Sequence, residues 1–178
     1  ADNRSGGAML AHHLVEQGYK HPLVLGLSTS HISSVAERID GFLGVFKEHN
    51  LPCVVREVGF NTIQADVDKL LLNVRSLPFK PDCLFAVNNN IATAVLHSLA
   101  ATNVKIPSDM AVVCFDDLPY FAFIHPTITA IEQPVAQMCS RAFELLSQLM
   151  DGENFSSHEV LMLPVKLNVR QSSLKKSK

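Results

Sequence analysis

Residues 83–115 read CLFAVNNNIATAVLHSLAATNVKIPSDMAVVCF, and this stretch predicts the fold of the chain. Its ends, Cys83–Val87 and Met110–Phe115, are short continuous apolar runs, a pattern typical of strands that are buried on both faces of a sheet. Between them, apolar residues recur at helical spacing from Ile91 to Leu99. A strand, a helix and a second strand in this order indicate a right-handed crossover unit on a parallel sheet.

The same alternation continues on both sides of this stretch, which predicts an α/β fold with a parallel sheet in a three-layer αβα arrangement. Further strands are predicted at Pro22–Leu27, Cys53–Val58 and Ile128–Ile131. Further helices are predicted over Ser5–Gln17, Val35–Phe46, Ile63–Val74 and Val135–Leu149, with Ser34 and Glu37 as a capping box at the start of the second one. We expect a long loop over Asp116–Thr127, extended chain interrupted by Pro164 over His158–Val169, and a frayed tail from Gln171.

Composition and charge exclude several classes of protein. The net charge is −2 over 178 residues, and leaving out the three lysines at the end makes it more negative, so this chain is not expected to bind DNA by itself. The apolar runs are far shorter than the roughly 20 residues that a membrane span needs. The four cysteines are scattered, and we interpret them as small buried apolar residues in a reducing, cytoplasmic setting.

Polar residues follow each buried strand of the predicted sheet, at Ser28–Ser34, Gly59–Asn61, Asn88–Asn90 and Asp116–Asp117. Ligands of open parallel sheets bind beyond the carboxyl ends of the strands, so these residues outline a candidate site. Arg38 lies one helical turn beyond Ser34 and can reach the same edge. A guanidinium, an amide, a carboxylate and an aromatic ring from Arg38, Asn88, Asp116 and Phe60 suit a small ligand that carries several hydroxyl groups.

Simpler interpretations of these residues stay open. Arg38 can be a solvated helix charge, Asn88 only a helix cap, and Asp116 only a turn residue. Motifs of nucleophilic, zinc, phosphate-loop and dinucleotide sites are absent, so we expect a non-enzyme without a metal or other cofactor. One catalytic alternative is a Mg²⁺ site for phosphoryl transfer at Asp116 and Asp117, although nothing in the sequence supplies its partner lysine or a second acidic site.

Several segments, taken in order, resemble the effector-binding region of the LacI/GalR family of bacterial transcription regulators. The resemblance runs from Asp2 to about Ser172. The matching segments are Asp2-Asn3 with Gly7, HLVEQGYKH, AERIDGF, PDCLFAVNN, IPSDMAVVCFDD, PTITAIEQP and the closing LPVKLNVRQS.

This resemblance implies a type I periplasmic-binding-protein-like fold with two lobes that close on a small effector. It makes residues 1–131 the C-terminal lobe, 132–160 a crossover and helix of the N-terminal lobe, 161–172 a return strand, and 173–178 a disordered tail. DNA would be bound by a helix-turn-helix domain upstream. The apolar stripe of the helix Val135–Leu149 would then lack much of its own lobe, and we expect it to pack on a neighbouring chain or on its own sheet.

The resemblance also implies roles for single residues. Arg38 matches the effector-contacting arginine of the family, Asn88 the asparagine of its Asn-Asp pair, and Asp116 the first aspartate after the apolar strand. The remaining implied contacts are Ser34, Gln133 at the crossover, and Phe60 as an aromatic plate, with Asn61 an equally good match for that position. Asn89 stands where the family more often has aspartate, which removes a charge beside the site.

The function implied is that of an effector sensor, with a sugar or related molecule as the effector, in a homodimeric regulator whose lobe closure alters DNA binding. A solute-binding component of a transporter has the same fold and is the alternative. Four unpaired cysteines and the terminal Arg-Gln-Ser argue against export, and hence against the transporter.

Overall fold

A six-stranded sheet forms the centre of the chain, as the computed structural model of residues 1–28, 33–151 and 160–175 shows. The strands are β1 Pro22–Leu27, β2 Val54–Val58, β3 Cys83–Ala86, β4 Ala111–Phe115, β5 Thr129–Glu132 and β6 Lys166–Asn168. The helices are α1 Asn3–Glu16, α2 Ser33–Glu48, α3 Ile63–Leu72, α4 Asn89–Ala101 and α5 Val135–Met150. Residues 29–32, 152–159 and 176–178, on which parts of the sequence predictions fall, lie outside the described ranges.

The strand order is β2-β1-β3-β4-β5-β6, and the first five of these strands are parallel. The predicted α/β class with a mainly parallel sheet is therefore confirmed. The strand order changes side at β1, because β2 lies on one side of β1 and β3 on the other. In sheets of this kind ligands bind beyond the carboxyl ends of the strands at such a point. Only β6 is antiparallel, and it pairs with β5 at the sheet edge.

Helices cover both faces of the sheet. α1 packs against α2 on one face, and α3 packs against α4 on the other. All residues of β1, β3 and β4 are buried, as the continuous apolar runs of these strands predict. Every predicted strand from β1 to β5 begins and ends within one residue of its expected position.

Helix starts differ in detail from the prediction. α1 begins two residues earlier than expected, because the Asp2 side chain caps it by accepting a hydrogen bond from the Ser5 amide at 2.9 Å. α2 begins at Ser33, which places Ser34 inside the helix. The Glu37 carboxylate accepts a hydrogen bond from Asn3 Nδ2 at 3.1 Å, so the predicted capping box of Ser34 and Glu37 is replaced by a contact between α1 and α2.

The end of the chain is more ordered than its polarity predicts. Gln171–Ser173 forms a short 3₁₀ helix in which Ser172 and Ser173 are buried, so the prediction of a frayed tail from Gln171 is wrong for these residues. The predicted extended segment before it is also shorter, because only Lys166–Asn168 pairs with the sheet. Pro164 lacks the N–H that a ladder requires, which is consistent with pairing that starts after it.

The apolar stripe of α5 is exposed. α5 has no buried residue, so its apolar stripe does not pack on its own sheet.

Two of the four cysteines are less buried than predicted. Cys83 and Cys114 are buried as predicted, whereas Cys53 is half-buried and Cys139 is exposed on α5. Within the described residues, no helix combines the length and the apolar character that a membrane span requires.

Candidate functional site

Arg38 is the centre of the candidate site, and its side chain is buried at the carboxyl edge of the sheet. α2 carries it towards the ends of β3 and β4, where its Nη1 donates to the carbonyl of Val87 at 2.9 Å. The same nitrogen lies 3.3 Å from Asp116 Oδ2 in an ion pair. Only 7% of Arg38 is exposed, so the interpretation of this residue as a solvated helix charge is wrong.

The backbone of Asp116 has an unusual conformation for a residue with a side chain. Its φ angle is +76°, in the left-handed region, directly after the buried strand β4. In this conformation the carboxylate contacts Arg38 through Oδ2 and accepts a hydrogen bond from Gln133 Nε2 through Oδ1. Backbone strain of this kind persists where the surrounding contacts favour it, and here they hold a charged acceptor at the sheet edge.

Two further residues fix the Arg38 guanidinium, and the sequence did not single them out for this role. Asn3 Oδ1 accepts a hydrogen bond from Arg38 Nε at 2.9 Å, and the ring of Phe115 lies 3.9 Å from the guanidinium carbon. Burial lowers the pKa of Arg38, and the neighbouring Asp116 carboxylate opposes that shift. The only advance signal for Asn3 was its place beside Asp2 in the segment that resembles the family.

Asn88 stands at the start of α4 and serves as its cap. Its side-chain oxygen accepts a hydrogen bond from the Ile91 amide at 2.9 Å, so the capping role is confirmed. The NH₂ group of the same side chain donates to none of the described residues and is therefore available to a ligand. Because Asn88 directly follows Val87, whose carbonyl binds Arg38, this NH₂ group and the guanidinium belong to the same edge of the sheet.

Ser34 and Phe60 lie at the same edge but outside this hydrogen-bonded group. Ser34 is one helical turn before Arg38 on α2 and is half-buried. Phe60 is 64% exposed in the turn between β2 and α3, and Asn61 follows it in the same turn. The structure thus joins Arg38, Asp116 and Gln133 by direct contacts, with Asn88 next to them.

Asp117 belongs to a different set of contacts from Asp116. Arg170 donates to both of its carboxylate oxygens, at 2.9 and 2.7 Å, and Asn168 donates to one of them at 2.8 Å. The two aspartates are therefore bound by different basic side chains and do not form a paired carboxylate site. Over residues 1–28, 33–151 and 160–175, no group of three or more histidine, cysteine or acidic residues could hold a metal ion.

The arrangement offers both hydrogen-bond donors and an acceptor to a neutral polar molecule. The Asp116 side chain is 23% exposed and accepts hydrogen bonds, while the guanidinium and the Asn88 amide donate them. Neighbouring hydroxyl groups donate and accept at the same time, so they match a site that offers both roles.

The sequence and the fold were compared with known proteins. The family of the periplasmic binding protein-like domain matches residues 11–173. A lactose operon repressor of Rhizobium radiobacter is 30% identical over 102 residues, which cover 57% of this chain and 88% of the repressor. The NTD biosynthesis operon regulator NtdR of Bacillus subtilis is 26% identical over 165 residues, which cover 90% of this chain and 49% of NtdR.

Among solved structures, a periplasmic binding protein/LacI transcriptional regulator of Alkaliphilus metalliredigens, complexed with D-xylulofuranose, has a similar fold. It superposes with a TM-score of 0.82 at 24% identity, over 98% of this chain and 65% of the regulator. The chain thus spans about half the length of NtdR and about two thirds of that regulator. It belongs to the periplasmic binding protein-like domain family, and its similarity to an operon regulator and to a lactose operon repressor places it in the LacI/GalR group of regulators.

Proposed function

We propose that this chain is the effector-sensing part of a LacI-type transcription regulator and that its effector is a sugar or a close derivative. The observation that carries the proposal is the buried Arg38–Asp116 ion pair, held at the edge of the sheet with Gln133 on the same carboxylate. A bound D-xylulofuranose in the Alkaliphilus metalliredigens regulator supports the choice of a sugar. Ser34, Phe60 and Asn88 complete the proposed set of effector contacts.

The proposal includes a division of the chain into lobes. Residues 1–131 with the return strand in 161–172 form one lobe, and residues 132–160, which include α5, belong to a second lobe. The complete lack of buried residues in α5 supports this division, because an amphipathic helix without a partner exposes its apolar face. Gln133 lies on the crossover between the lobes, so its contact with Asp116 would link effector binding to lobe movement.

The remaining parts of the proposal concern the whole regulator. A helix-turn-helix domain outside these 178 residues would bind DNA, and effector binding would shift the equilibrium between open and closed lobes. The regulator would act in the cytoplasm as a homodimer and not as an enzyme. Relatives that are named as an operon regulator and as an operon repressor support this proposal over the solute-binding component of a transporter.

The proposal is tested with the full-length regulator in a thermal-shift screen against pentoses, hexoses, disaccharides, sugar phosphates and nucleobases. A ligand that binds only the folded state raises the midpoint, and at a hundred times its Kd it adds about 2.7 kcal/mol of stability. We expect at least one sugar to do so. Stabilisation by a nucleobase alone would contradict the choice of a sugar, and no response to any compound would contradict the sensor itself.

Two neighbouring substitutions then locate the site. Asp116→Asn removes the charge that pairs with Arg38, and we expect it to weaken effector binding by about 2 kcal/mol in calorimetry, because the partners in the site lose a charged hydrogen bond. Asp117→Asn is the matched control, since that carboxylate binds Arg170 instead. An equal loss of affinity in both variants, or none in Asp116→Asn, would remove the Arg38–Asp116 pair from the site.

A further inference from the structure

A groove lies at the amino-terminal edge of the sheet, opposite the Arg38–Asp116 site. It has a volume of about 1000 Å³ and is formed where the chain enters β1, β3, β4 and β5. The connection from α4 to β4, between Val104 and Asp109, makes one wall, and Ile124–Pro126 makes another. Groove volumes of this order suit small molecules.

The walls of this groove, which we term the amino-edge groove, are largely apolar. Leu96 and Ala100 from α4, together with Ile106 and Ile124, present aliphatic surface to it. A flat or branched apolar body would remove this surface from water, and that would provide most of the binding energy.

Tyr19 supplies an unused polar group in the wall of the groove. The residue is 2% exposed, and its buried hydroxyl has no hydrogen-bond partner among the described residues. Burial raises the pKa of Tyr19 to about 12, so the hydroxyl keeps its proton near neutral pH and is a donor. A buried polar group without a partner is unfavourable, and a ligand acceptor would satisfy it once the adjoining side chains of the wall make room.

Two aspartates and two lysines line the groove, and they differ in which groups are already engaged. Both acidic side chains already accept backbone amides: Asp82 from Lys20 and His21, each at 2.9 Å, and Asp109 from Lys105, also at 2.9 Å. The Lys105 ammonium forms no ion pair with the described residues, so it can bind an anion.

Lys175 adds a second cation next to the buried hydroxyl. Its ammonium lies 4.3 Å from the centre of the Tyr19 ring and donates to the Gly18 carbonyl at 2.8 Å, which leaves further N–H groups for a ligand. We propose that the amino-edge groove is a second ligand site, separate from the effector site, and that it binds a small organic anion with a flat apolar body. Tyr19, Lys105 and Lys175 would bind the anionic group.

Benzoate is a suitable probe, with benzamide as its uncharged analogue. In ¹H–¹⁵N spectra of the chain, benzoate should shift the backbone amides of Tyr19, Leu96, Lys105 and Ser108, and benzamide should shift them far less. Shifts that are equal for both compounds, or shifts that cluster around Arg38, would overturn the proposal. The effector plays no part in this measurement, so its outcome is independent of the proposed sensor function.

Substitutions test whether benzoate binds at a defined site or only to an apolar surface. Ala100→Phe fills the groove from an exposed helix position and should abolish benzoate binding, whereas Ala101→Phe, on the adjacent exposed residue outside the groove, should not. Tyr19→Phe should lower benzoate affinity about tenfold, because it removes a hydrogen bond to a charged group. The same change should leave the unliganded protein at least as stable, since it deletes a hydroxyl without a partner. Unchanged affinity in both Ala100→Phe and Tyr19→Phe would refute the site.

Discussion

His13 is a buried histidine at the end of a short chain of hydroxyl groups. Thr129 Oγ1 lies 3.0 Å from the Arg170 carbonyl oxygen and 2.6 Å from Ser173 Oγ, and either hydroxyl of the second pair can donate. Ser173 Oγ lies 2.7 Å from His13 Nε2, where the tautomer of the ring decides which atom donates. This hydrogen bond ties α1 to the end of the chain.

Acid should weaken the fold through His13. Burial lowers its pKa below the ordinary value of 6.5, against the smaller opposing effect of Glu16, so the unfolded chain binds this proton more readily than the folded chain. The contribution of His13 to stability is thus complete above pH 6.5 and is lost as the pH falls below it. We expect chemical denaturation between pH 7 and pH 5 to show a decrease of at most about 1.4 kcal/mol per pH unit.

Two substitutions isolate this effect. His13→Gln keeps a hydrogen-bonding amide group towards Ser173 but cannot titrate, so it should flatten the pH dependence in this range. His12→Gln is the control, because His12 is the exposed neighbour on the same helix. The carboxylates with lowered pKa values, such as Asp2 and Asp66, titrate from 3.8 downwards and do not interfere. A slope that persists in His13→Gln would assign the dependence to another group.

The prediction of a frayed chain terminus was wrong because of the hydrogen bonds of single residues. Polarity predicted a frayed end, yet Ser172 donates to the Val112 carbonyl at 2.6 Å and accepts from the Thr129 amide at 2.9 Å. A serine with both roles satisfied can be buried as readily as an apolar residue. Sequence patterns report polarity and not the partners that satisfy it, so burial of this kind could not be predicted.

At the scale of the elements, the position of Arg38 depends on a close approach of α1 to α2. A Cβ atom on Gly7 would lie 2.1 Å from the Arg38 carbonyl oxygen, and one on Gly41 would lie 2.0 Å from the Arg4 carbonyl oxygen. Two glycines facing backbone from opposite helices allow the helices to pack more closely than side chains permit. This contact sets where α2, and therefore the guanidinium, meets the edge of the sheet.

Substitution by alanine should have opposite effects on stability at Gly7, which faces the other helix, and at Gly44, which has free space around it. Gly7→Ala forces the two helices apart and should cost at least about 2 kcal/mol of stability, in the range of overpacked cores. Gly44→Ala, on α2 at a position where a Cβ atom would meet nothing within 4 Å, should gain about 0.5–1 kcal/mol from helix propensity. Urea denaturation measures both. Similar stabilities of Gly7→Ala and Gly44→Ala would show that the helices separate without cost.

The elements themselves could largely be predicted, because each strand that is buried on both faces is a continuous apolar run with polar residues at its ends. Pro22–Leu27 is the clearest case, since every residue of it is buried. The short strand Lys166–Asn168 could not be delimited in this way: it is an edge strand with partly exposed side chains, and Pro164 interrupts the pattern before it.

At the scale of the whole molecule, the two edges of the sheet have different chemistry. The carboxyl edge holds a charged pair that could be predicted, because parallel strands deliver the residues after them to one place. Arg38 and Asp116 met there as expected. The contacts of Asn3 and Phe115 with Arg38 depend on the packing of α1 and on the side-chain direction of β4, and neither is visible in the spacing of residues.

The apolar stripe of α5 can be predicted from periodicity only in part. The spacing of Val135, Leu145, Leu146 and Leu149 indicates an apolar stripe, but not the surface that covers it. In the structure Leu145 is 37% exposed and Leu149 is 56% exposed, so the stripe is open to solvent along the helix. A continuous apolar face of this length favours association with other surfaces.

The isolated chain should therefore associate through α5. Static light scattering should give an average mass that rises with concentration, and a dye that binds apolar surfaces should fluoresce with the protein. Replacing Leu145, Leu146 and Leu149 by serine should abolish both signals, because it removes the stripe without touching the core. Leu72→Ser is the matched control, as Leu72 is 73% exposed on α3 and lies outside the stripe. A strict monomer without dye binding would show that the stripe of α5 is covered in solution by its own chain, and it would remove the main support for assigning this helix to a second lobe.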